Sequence, residues 1–417
     1  MSDHKLQPVR GTKDLFGDEI KVFNHIIAVA KKKSEFFGFE ELQIPIFEFS
    51  EVFERNLGET SDIVAKEVYK FADRSENFLT LRPEFTAGVV RALISNGELQ
   101  QVLPRKLFSH GPLFRYERPQ KGRQRQFHQI NFEIFGEENF FCDVEAILLA
   151  SSILKDLDVL DQTTLEINSL GCAQTKLNYE EALKKYFAKF KNDLSADSQN
   201  RLEKNPLRIL DSKDAQDIEL LIDAPKIADF FSEEAKSNFD NILNLLTKLS
   251  VKHRVNQRLV RGLDYYTSTV FEFITSHEGA QNTALAGGRY DNLVEKMSGK
   301  KLPAIGFAAG IERLMLLTKL QLQKTRAVAV NYISENEKIY AFEIAQKLRN
   351  SGFITEFVFA GNFKKQMKRA SQNDSRFVII IGEDEMKNGE VMVKDFDHSN
   401  EQKIKQELLI HYLEGKI

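Results

Sequence analysis

The sequence predicts an α+β protein: a mostly antiparallel first domain interrupted by a helical insertion, with a smaller α/β module behind it. Three observations lead there. Strand-like runs at 105–116 and 127–135 bracket a polar loop, and strand signals return at 258–274 and 302–308. Between these, from Gly171 to about Leu249, the pattern is helical and charged, with few β-branched runs. Beyond Gln321 the grammar changes: AVAVNYI, NEKIYAFEIAQKLRN, ITEFVF, NFKKQMKRA, FVIIIG and EVMVKDF alternate strand and helix. Short unbroken apolar strands with intervening helices imply a buried, largely parallel sheet. The boundary falls near Gln321–Arg326, which gives a first domain over 1–320, an insertion at about 171–249 and a module over 326–417.

In chain order, Ile20, Phe23, Ile27 and Ala30 stand at helical spacing in 18–37, and Gly38 is the stop. FEELQIPIFEF reads as a strand whose Pro45 cannot donate to a ladder, hence an edge or interface position. Residues 67–82 read as a hairpin turning on Asp73–Asn77, and a helix follows Pro83 from Thr86 to Ser95. Another helix, 143–157, puts Val144, Ile147, Leu148, Ser151 and Leu154 on one side. A helix opens near Ala309 and runs through GIERLMLLTKL. No internal repeat or low-complexity tract interrupts this order.

With 42% hydrophobic and 29% charged residues, the composition is that of a soluble globular protein, long enough for roughly three domains. The net charge of −3 excludes a globally basic nucleic-acid coat, so a nucleic-acid partner requires local clusters of cations. Two cysteines, Cys142 and Cys172, with no CxxC pairing, argue against a disulfide scaffold or a thiolate zinc site. Both read as small buried or inert residues. The N-terminus lacks a signal-like apolar stretch, and no run approaches the ~18 apolar residues that span a bilayer. The expectation is a cytoplasmic protein with no membrane partner.

One stretch breaks the even charge distribution: FRYERPQKGRQRQFHQINFEIFG, residues 114–136. Arg115, Arg118, Lys121, Arg123 and Arg125 crowd into it, and the chain then turns apolar with Gln129 and Glu133 left standing. Alternation puts Gln129, Asn131 and Glu133 on one face of a strand and His128, Ile130, Phe132 and Ile134 on the other. Gln129 and Glu133 would stand roughly 13 Å apart. On pattern alone this is also what a half-buried strand with a solvated polar face and a solvated hairpin tip would show. Arginine, however, presents a rigid fork suited to phosphate and carboxylate oxygens. Further arginines occur at Arg261 in LVRGLDYY and Arg313 in GIERL. Their convergence would suit a polyphosphate, and no GxxxxGK[ST] loop offers another route. His110 and His128 lie at apolar-facing positions and read as satisfied core histidines.

FRYERPQKGRQRQFHQ resembles the second signature motif of class II aminoacyl-tRNA synthetases, GFAAGIERL (306–314) the third, and the first helix with the Pro45 strand the first, which builds a dimer interface. RGLDYYTSTVFEF (261–273) resembles the segment peculiar to the histidyl-tRNA synthetase family, and VRGTKD, LTLRPEFTA, AGGRYDNL and GNFKKQMKRA agree with it in the expected order. The resemblance implies a class II catalytic domain with a C-terminal α/β anticodon-binding domain, and an arm gripping tRNA for the insertion, whose own sequence carries no sharp signal. It implies the joining of L-histidine to tRNA-His through histidyl-adenylate, with ATP as substrate accompanied by Mg2+, no protein-bound zinc, and a homodimer.

The same resemblance implies residue roles. Arg115 and Arg261 hold the α-phosphate from two sides, Arg261 standing where other class II enzymes rely on a metal ion. Arg123 meets the terminal phosphates and Arg313 the adenine face, a cation–π arrangement. No protein general base is required. Glu133 and Tyr266 satisfy the two imidazole nitrogens; Gln129, Glu84 and Thr86 receive the α-amino group, with Tyr265 beside them. Glu84 and Thr86 would share a face if extended, leaving Phe85 in the pocket wall pointing elsewhere. Phe85 departs from the small residue usual there, and its ring needs somewhere to pack. Arg118 and Gln120 are implied contacts to an extra 5′ guanosine of the tRNA. Lys364, Lys365, Lys368 and Arg369 fall at i, i+1, i+4 and i+5 of a predicted helix: a solvated face by default, an anticodon-side phosphate contact by resemblance. Two alternatives stay open: a synthetase-like regulatory protein that binds histidine or tRNA without aminoacylating, and a class II enzyme for another amino acid.

Overall fold

The apolar spacing at the N-terminal end makes the helix Asp18–Phe36, which buries Phe23, Ile26 and Ala30, and Gly38 at φ +72° turns the chain out of it. In the computed structural model the described residues are 6–54, 67–101, 103–263, 265–275, 282–320 and 326–416. They form two units, Met1–Gln321 and Leu322–Ile417.

The first unit is built on an eight-stranded sheet among the described residues. Its order is Glu40–Glu41, Arg105–Phe114, Gln126–Phe135, Ala304–Gly310, Thr283–Arg289, Thr269–Thr275, Thr163–Ser169, His253–Val255. The six central strands pair antiparallel and only the short edge strands join parallel. One face packs on the helices Asp18–Phe36 and Phe141–Asp156 through Ile130, Phe132, Ile134, Phe271, Phe273, Ile305 and Phe307. The ring of Phe132 stacks on Phe307 with centroids 4.8 Å apart.

Two strand readings change. FEELQIPIFEF is not one strand: Glu40–Glu41 joins the large sheet, while Phe47–Phe49 joins a three-stranded sheet with Tyr69–Ala72 and Phe78–Leu81. Pro45 belongs to neither, because the carbonyls of Ile44 and Pro45 are taken by Arg82 Nη1 at 2.8 and 3.3 Å. The strand expected over 258–274 begins only at Thr269. Its first half is a loop whose Leu259, Tyr265 and Tyr266 are apolar because they pack into a core, not because they pair. The hairpin on Asp73–Asn77 forms, with Asp73 Oδ1 accepting from the amides of Ser75 and Asn77 at 2.8 and 2.9 Å. The helix after Pro83 spans Thr86–Ser95. Strand Thr283–Arg289 went unpredicted because TALAGGR has little β propensity.

The second unit departs from a largely parallel sheet. Strands Thr355–Phe357, Val328–Tyr332 and Phe377–Ile381 are parallel, but Glu390–Asp395 and Asn400–Lys405 add an antiparallel hairpin at one edge. The last strand, NEQKIK, is too polar to be read from its pattern. Helix Phe363–Gln372 buries Gln366 and Ala370 and exposes Lys364, Lys365, Lys368 and Arg369.

The insertion carries the helices Ala173–Phe187, Ala196–Lys204, Ala215–Leu220 and Glu233–Lys248. Its polar centre is Asp217, fully buried, whose carboxylate accepts from Ser195 Oγ (2.7 Å), Ser198 Oγ (2.6 Å), Ser212 Oγ (2.5 Å) and the Ser195 amide (2.9 Å). Removing the acceptor strands four donors at once. Asp217→Ala is expected to cost about 2–4 kcal/mol in urea unfolding followed by far-ultraviolet circular dichroism; a loss below about 0.5 kcal/mol would show that the carboxylate is dispensable.

Candidate active site

The basic stretch is the loop between strands Arg105–Phe114 and Gln126–Phe135. Paired backbone bonds narrow it: Arg115 N donates to Arg125 O at 2.9 Å, and Gln120 and Arg123 exchange two bonds of 3.0 and 2.9 Å around Gly122, φ +76°. The five cations therefore part ways. Arg115 donates from Nε to Pro83 O at 2.9 Å, with its guanidinium 5.2 Å from the centre of the Phe127 ring. Arg123 pairs with Glu117, 2.6 Å from Nε to Oε2. Arg125 stacks on Tyr116 at 3.9 Å, and Arg118, Gln120 and Lys121 are exposed.

The cavity beside this loop, about 420 Å³, is lined by Glu84, Phe85, Thr86, Arg115, Arg123, Gln129, Glu133, Arg261, Tyr265, Tyr266 and Arg313. The fold thus brings together every residue the sequence assigned to amino acid and nucleotide. Arg118 and Gln120 stay outside the lining, and Lys364 and Lys365 belong to the second unit.

Register explains why a cavity exists there. Gln129, Asn131 and Glu133 do share a face, and across the ladder the residues on that face are Gly306, Ala308 and Gly310, then Ala286 and Gly288. Small side chains leave a trough instead of a packed layer. At Gly306 the demand is severe: a Cβ would lie 1.6 Å from Glu133 Oε2.

Glu133 is 1% exposed and ringed by donors. Thr86 Oγ1 donates to Oε1 at 2.6 Å, Asn131 Nδ2 to the same oxygen at 3.0 Å, and Tyr290 OH to Oε2. Burial pushes its carboxyl up to about 7, against the pull of those donors. Burial likewise raises the phenols of Tyr265, Tyr266 and Tyr290, which stay protonated at neutral pH. The Oδ1 of Asn131 is buried with no hydrogen-bond partner, as is the Nε of Arg261. Arg261 pairs with Glu272 and lies 5.6 Å from the centre of the Tyr266 ring. A Cβ on Gly122 would stand 3.7 Å from Arg313 Nε, so the hairpin tip reaches Arg313, whose pKa is lowered by burial and by Arg123.

The segment around Phe85 is not extended. It opens the helix Thr86–Ser95, with Glu84 accepting from the amides of Thr86 (2.6 Å) and Ala87 (2.9 Å). Phe85 finds its packing under Arg82, whose guanidinium lies 4.5 Å from the ring centre. Gly111 makes room for both, since a Cβ there would meet Arg82 Nη2 at 2.8 Å.

Sequence reasoning missed Tyr290, Asn131, Glu117 and Glu272. Each lay inside a quoted motif, but what marks them is a partner that the fold supplies, near in the chain for Asn131, Glu117 and Glu272 and remote for Tyr290. The histidines are satisfied as expected, His128 Nδ1 2.7 Å from Glu312 and His110 Nε2 3.3 Å from Glu41, but both are half-buried and not in the core. Cys142 is buried as expected, while Cys172 is exposed. Among the described residues no group of three His, Cys, Asp or Glu side chains is placed to hold a metal ion, and no helix is long and apolar enough to cross a membrane.

Known proteins match over nearly the whole chain. The family model described as histidyl-tRNA synthetase covers residues 11–314, and one described as anticodon binding domain covers 327–416. A histidine–tRNA ligase of Wolbachia pipientis subsp. Culex pipiens (strain wPip) is 50% identical over 398 residues, 95% of this chain and 97% of its own. That of Orientia tsutsugamushi (strain Boryong) is 46% identical over 417 residues, 99% of each chain. The crystal structure of apo S. aureus histidyl-tRNA synthetase is similar at TM-score 0.82 and 31% identity, over 98% of this chain and 99% of that one. A Bacillus halodurans structure described as an ATP phosphoribosyltransferase regulatory subunit/histidyl-tRNA synthetase shares the fold, at TM-score 0.67 and 20% identity. With a trough of arginines, a buried carboxylate and relatives alike from end to end, this chain belongs to the histidyl-tRNA synthetase family.

Proposed function

We propose that this chain performs the ATP-dependent ligation of L-histidine to tRNA-His through histidyl-adenylate, releasing pyrophosphate and AMP. The observation that carries the reading is Glu133: a buried carboxylate held by Thr86, Asn131 and Tyr290 in the cavity that also holds four arginines. A carboxylate acceptor facing a phenol matches neutral imidazole, which has one N–H and one bare nitrogen. An apolar side chain would leave those buried groups unpaired, which such pockets reject by ~10⁴-fold or more.

In this reading Glu133 and Tyr266 take the imidazole, and Gln129, Glu84, Thr86 and Tyr265 surround the α-amino group, with Phe85 as wall. Arg115 and Arg261 neutralise the α-phosphate as the histidine carboxylate attacks it, which positioning and charge stabilisation can accelerate without a protein base. Arg123 meets the terminal phosphates and Arg313 the adenine. Mg2+ enters with ATP as part of the substrate. Glu117 and Glu272, paired with Arg123 and Arg261, keep these guanidinium groups placed before the nucleotide arrives. Exposure of Arg118 and Gln120 on the hairpin suits a contact to the 5′ end of the tRNA. The exposed row Lys364, Lys365, Lys368 and Arg369 suits phosphates on the anticodon side. The chain works as a cytoplasmic homodimer, with residues 1–320 as catalytic domain and 326–417 as anticodon-binding domain.

Histidine-dependent ATP–pyrophosphate exchange is the deciding assay. Exchange with histidine alone, reduced about 10²–10³-fold in Arg261→Ala, is the expected result. No exchange from folded wild type would favour a regulatory binder instead. The carboxyl of Glu133 is pushed up to about 7, so it is ionised above and protonated below that pH. Histidine binding is therefore expected to weaken about tenfold from pH 8 to pH 6. Glu133→Gln should bind weakly throughout and keep only the substrate's own titration. Arg118→Ala with Gln120→Ala should raise the KM for tRNA-His about tenfold or more; unchanged charging kinetics would remove these two residues from the tRNA contact.

A further inference from the structure

The side-chain amide of Asn131 is bonded at one end only. Nδ2 donates to Glu133 Oε1 at 3.0 Å, while Oδ1 is buried with no hydrogen-bond partner, and the residue is 4% exposed. The sheet does not supply the missing donor. Across the ladder Asn131 stands opposite Ala308 on one side and Ser109 on the other. Alanine has no side-chain donor, and Ser109 Oγ donates to Leu42 O at 2.7 Å. Nor can the amide turn over, because that would set Oδ1 against the carboxylate of Glu133, acceptor against acceptor.

A buried acceptor without a donor is costly, and a ligand that brings the donor recovers that cost. Asn131 lines the same cavity as Gln129 and Glu133 and lies between them on one face of their strand. In the ligase reading, Gln129 serves the α-amino group and Glu133 the imidazole, so Asn131 lies between the two ends of the substrate. The ammonium is the end short of acceptors, since it carries three N–H donors. Glu84 already accepts from the amides of Thr86 and Ala87, and Thr86 spends its hydroxyl proton on Glu133. The imidazole brings a single N–H, which Glu133 takes.

We propose that Asn131 is a specificity-determining residue of the amino acid pocket, holding Glu133 through Nδ2 and accepting from the α-ammonium of the substrate through Oδ1. One amide then couples two recognition events: the side chain that steadies the imidazole acceptor also demands an amine on the same molecule. A ligand with the imidazole ring but no ammonium leaves Oδ1 unpaired inside the protein and is rejected for it. Histidine as the substrate is taken from the ligase reading; Asn131 is a contact which that reading does not contain.

The test is calorimetric binding of L-histidine and of imidazolepropionate, which keeps the ring and the carboxylate but has no ammonium, to wild type, Asn131→Ala and Asn131→Asp. Comparing two ligands on one variant cancels any general loosening of the fold. Loss of Nδ2 in Asn131→Ala weakens both ligands through Glu133, whereas loss of Oδ1 weakens histidine alone. Histidine should therefore lose about tenfold more affinity than imidazolepropionate. Asn131→Asp keeps an acceptor at the same place and should restore most of that preference. In Asn131→Ala the pH at which histidine binding falls away should rise, because Nδ2 no longer helps to keep Glu133 ionised. An unmoved pH dependence would overturn the Nδ2 half of the proposal. Equal losses for the two ligands in Asn131→Ala, or a preference that Asn131→Asp does not restore, would overturn the Oδ1 half, while histidine binding by the wild type leaves the ligase reading standing. Wild type that binds no histidine would sink the ligase reading and the role of Asn131 together.

Discussion

A carboxylate in the floor of a sheet is a costly thing to bury, and the architecture around the cavity follows from making it tolerable. Glu133 is out of water, so its oxygens must be met from within. Thr86 comes from the first turn of a helix, Asn131 from two residues along the same strand and Tyr290 from the residue that follows the strand Thr283–Arg289. Two parts of the chain remote from its own strand have to arrive before that one side chain is satisfied. The glycine at position 306 is fixed by the same carboxylate, since nothing larger fits beside Oε2.

The trough itself is a negative feature. Ordinary sheets fill both faces; here one face carries Phe132, Phe307 and Phe271 into the core, and the other carries Gly306, Ala308, Gly310, Ala286 and Gly288. The empty side is where the arginines converge, Arg115 over the Phe127 ring and Arg261 beside that of Tyr266. Each of three is tethered before any ligand is present: Arg115 by Pro83 O, Arg123 by Glu117, Arg261 by Glu272. For the proposed adenylation this is preorganisation, with dipoles and charges placed so that little rearrangement is left for the reacting state.

The insertion is tied to that arrangement through apolar packing. Its Leu207, Ile209 and Leu210 share a core with Tyr265 and Tyr266, and Asp217 ties three serines into the same corner. Movement of the insertion would be felt by the loop that holds Arg261. In the proposed reaction, this links the residues that face the tRNA to those that face the nucleotide.

Periodicity and punctuation were enough for the helix ending at Gly38, the hairpin on Asp73–Asn77, the helix opening at Thr86 and the alternating grammar past residue 326. Each is a local matter of spacing, capping and turn chemistry. Motif likeness also placed Arg115, Glu133, Arg261 and Arg313 within reach of one another, because those residue types recur at those spacings. What remained hidden was set by pairing across the chain. TALAGGR becomes a strand because its neighbours need small residues there. Leu259, Tyr265 and Tyr266 resemble a strand but pack as a loop. Phe85 finds its place under Arg82, a contact that depends on Gly111 from another strand. Tyr290 carries no local signal of what it faces. The sequence by itself determined the residue chemistry and the local elements; the tertiary structure alone decided which side chains meet over the buried carboxylate, because that meeting is a property of register and packing between segments far apart in the chain.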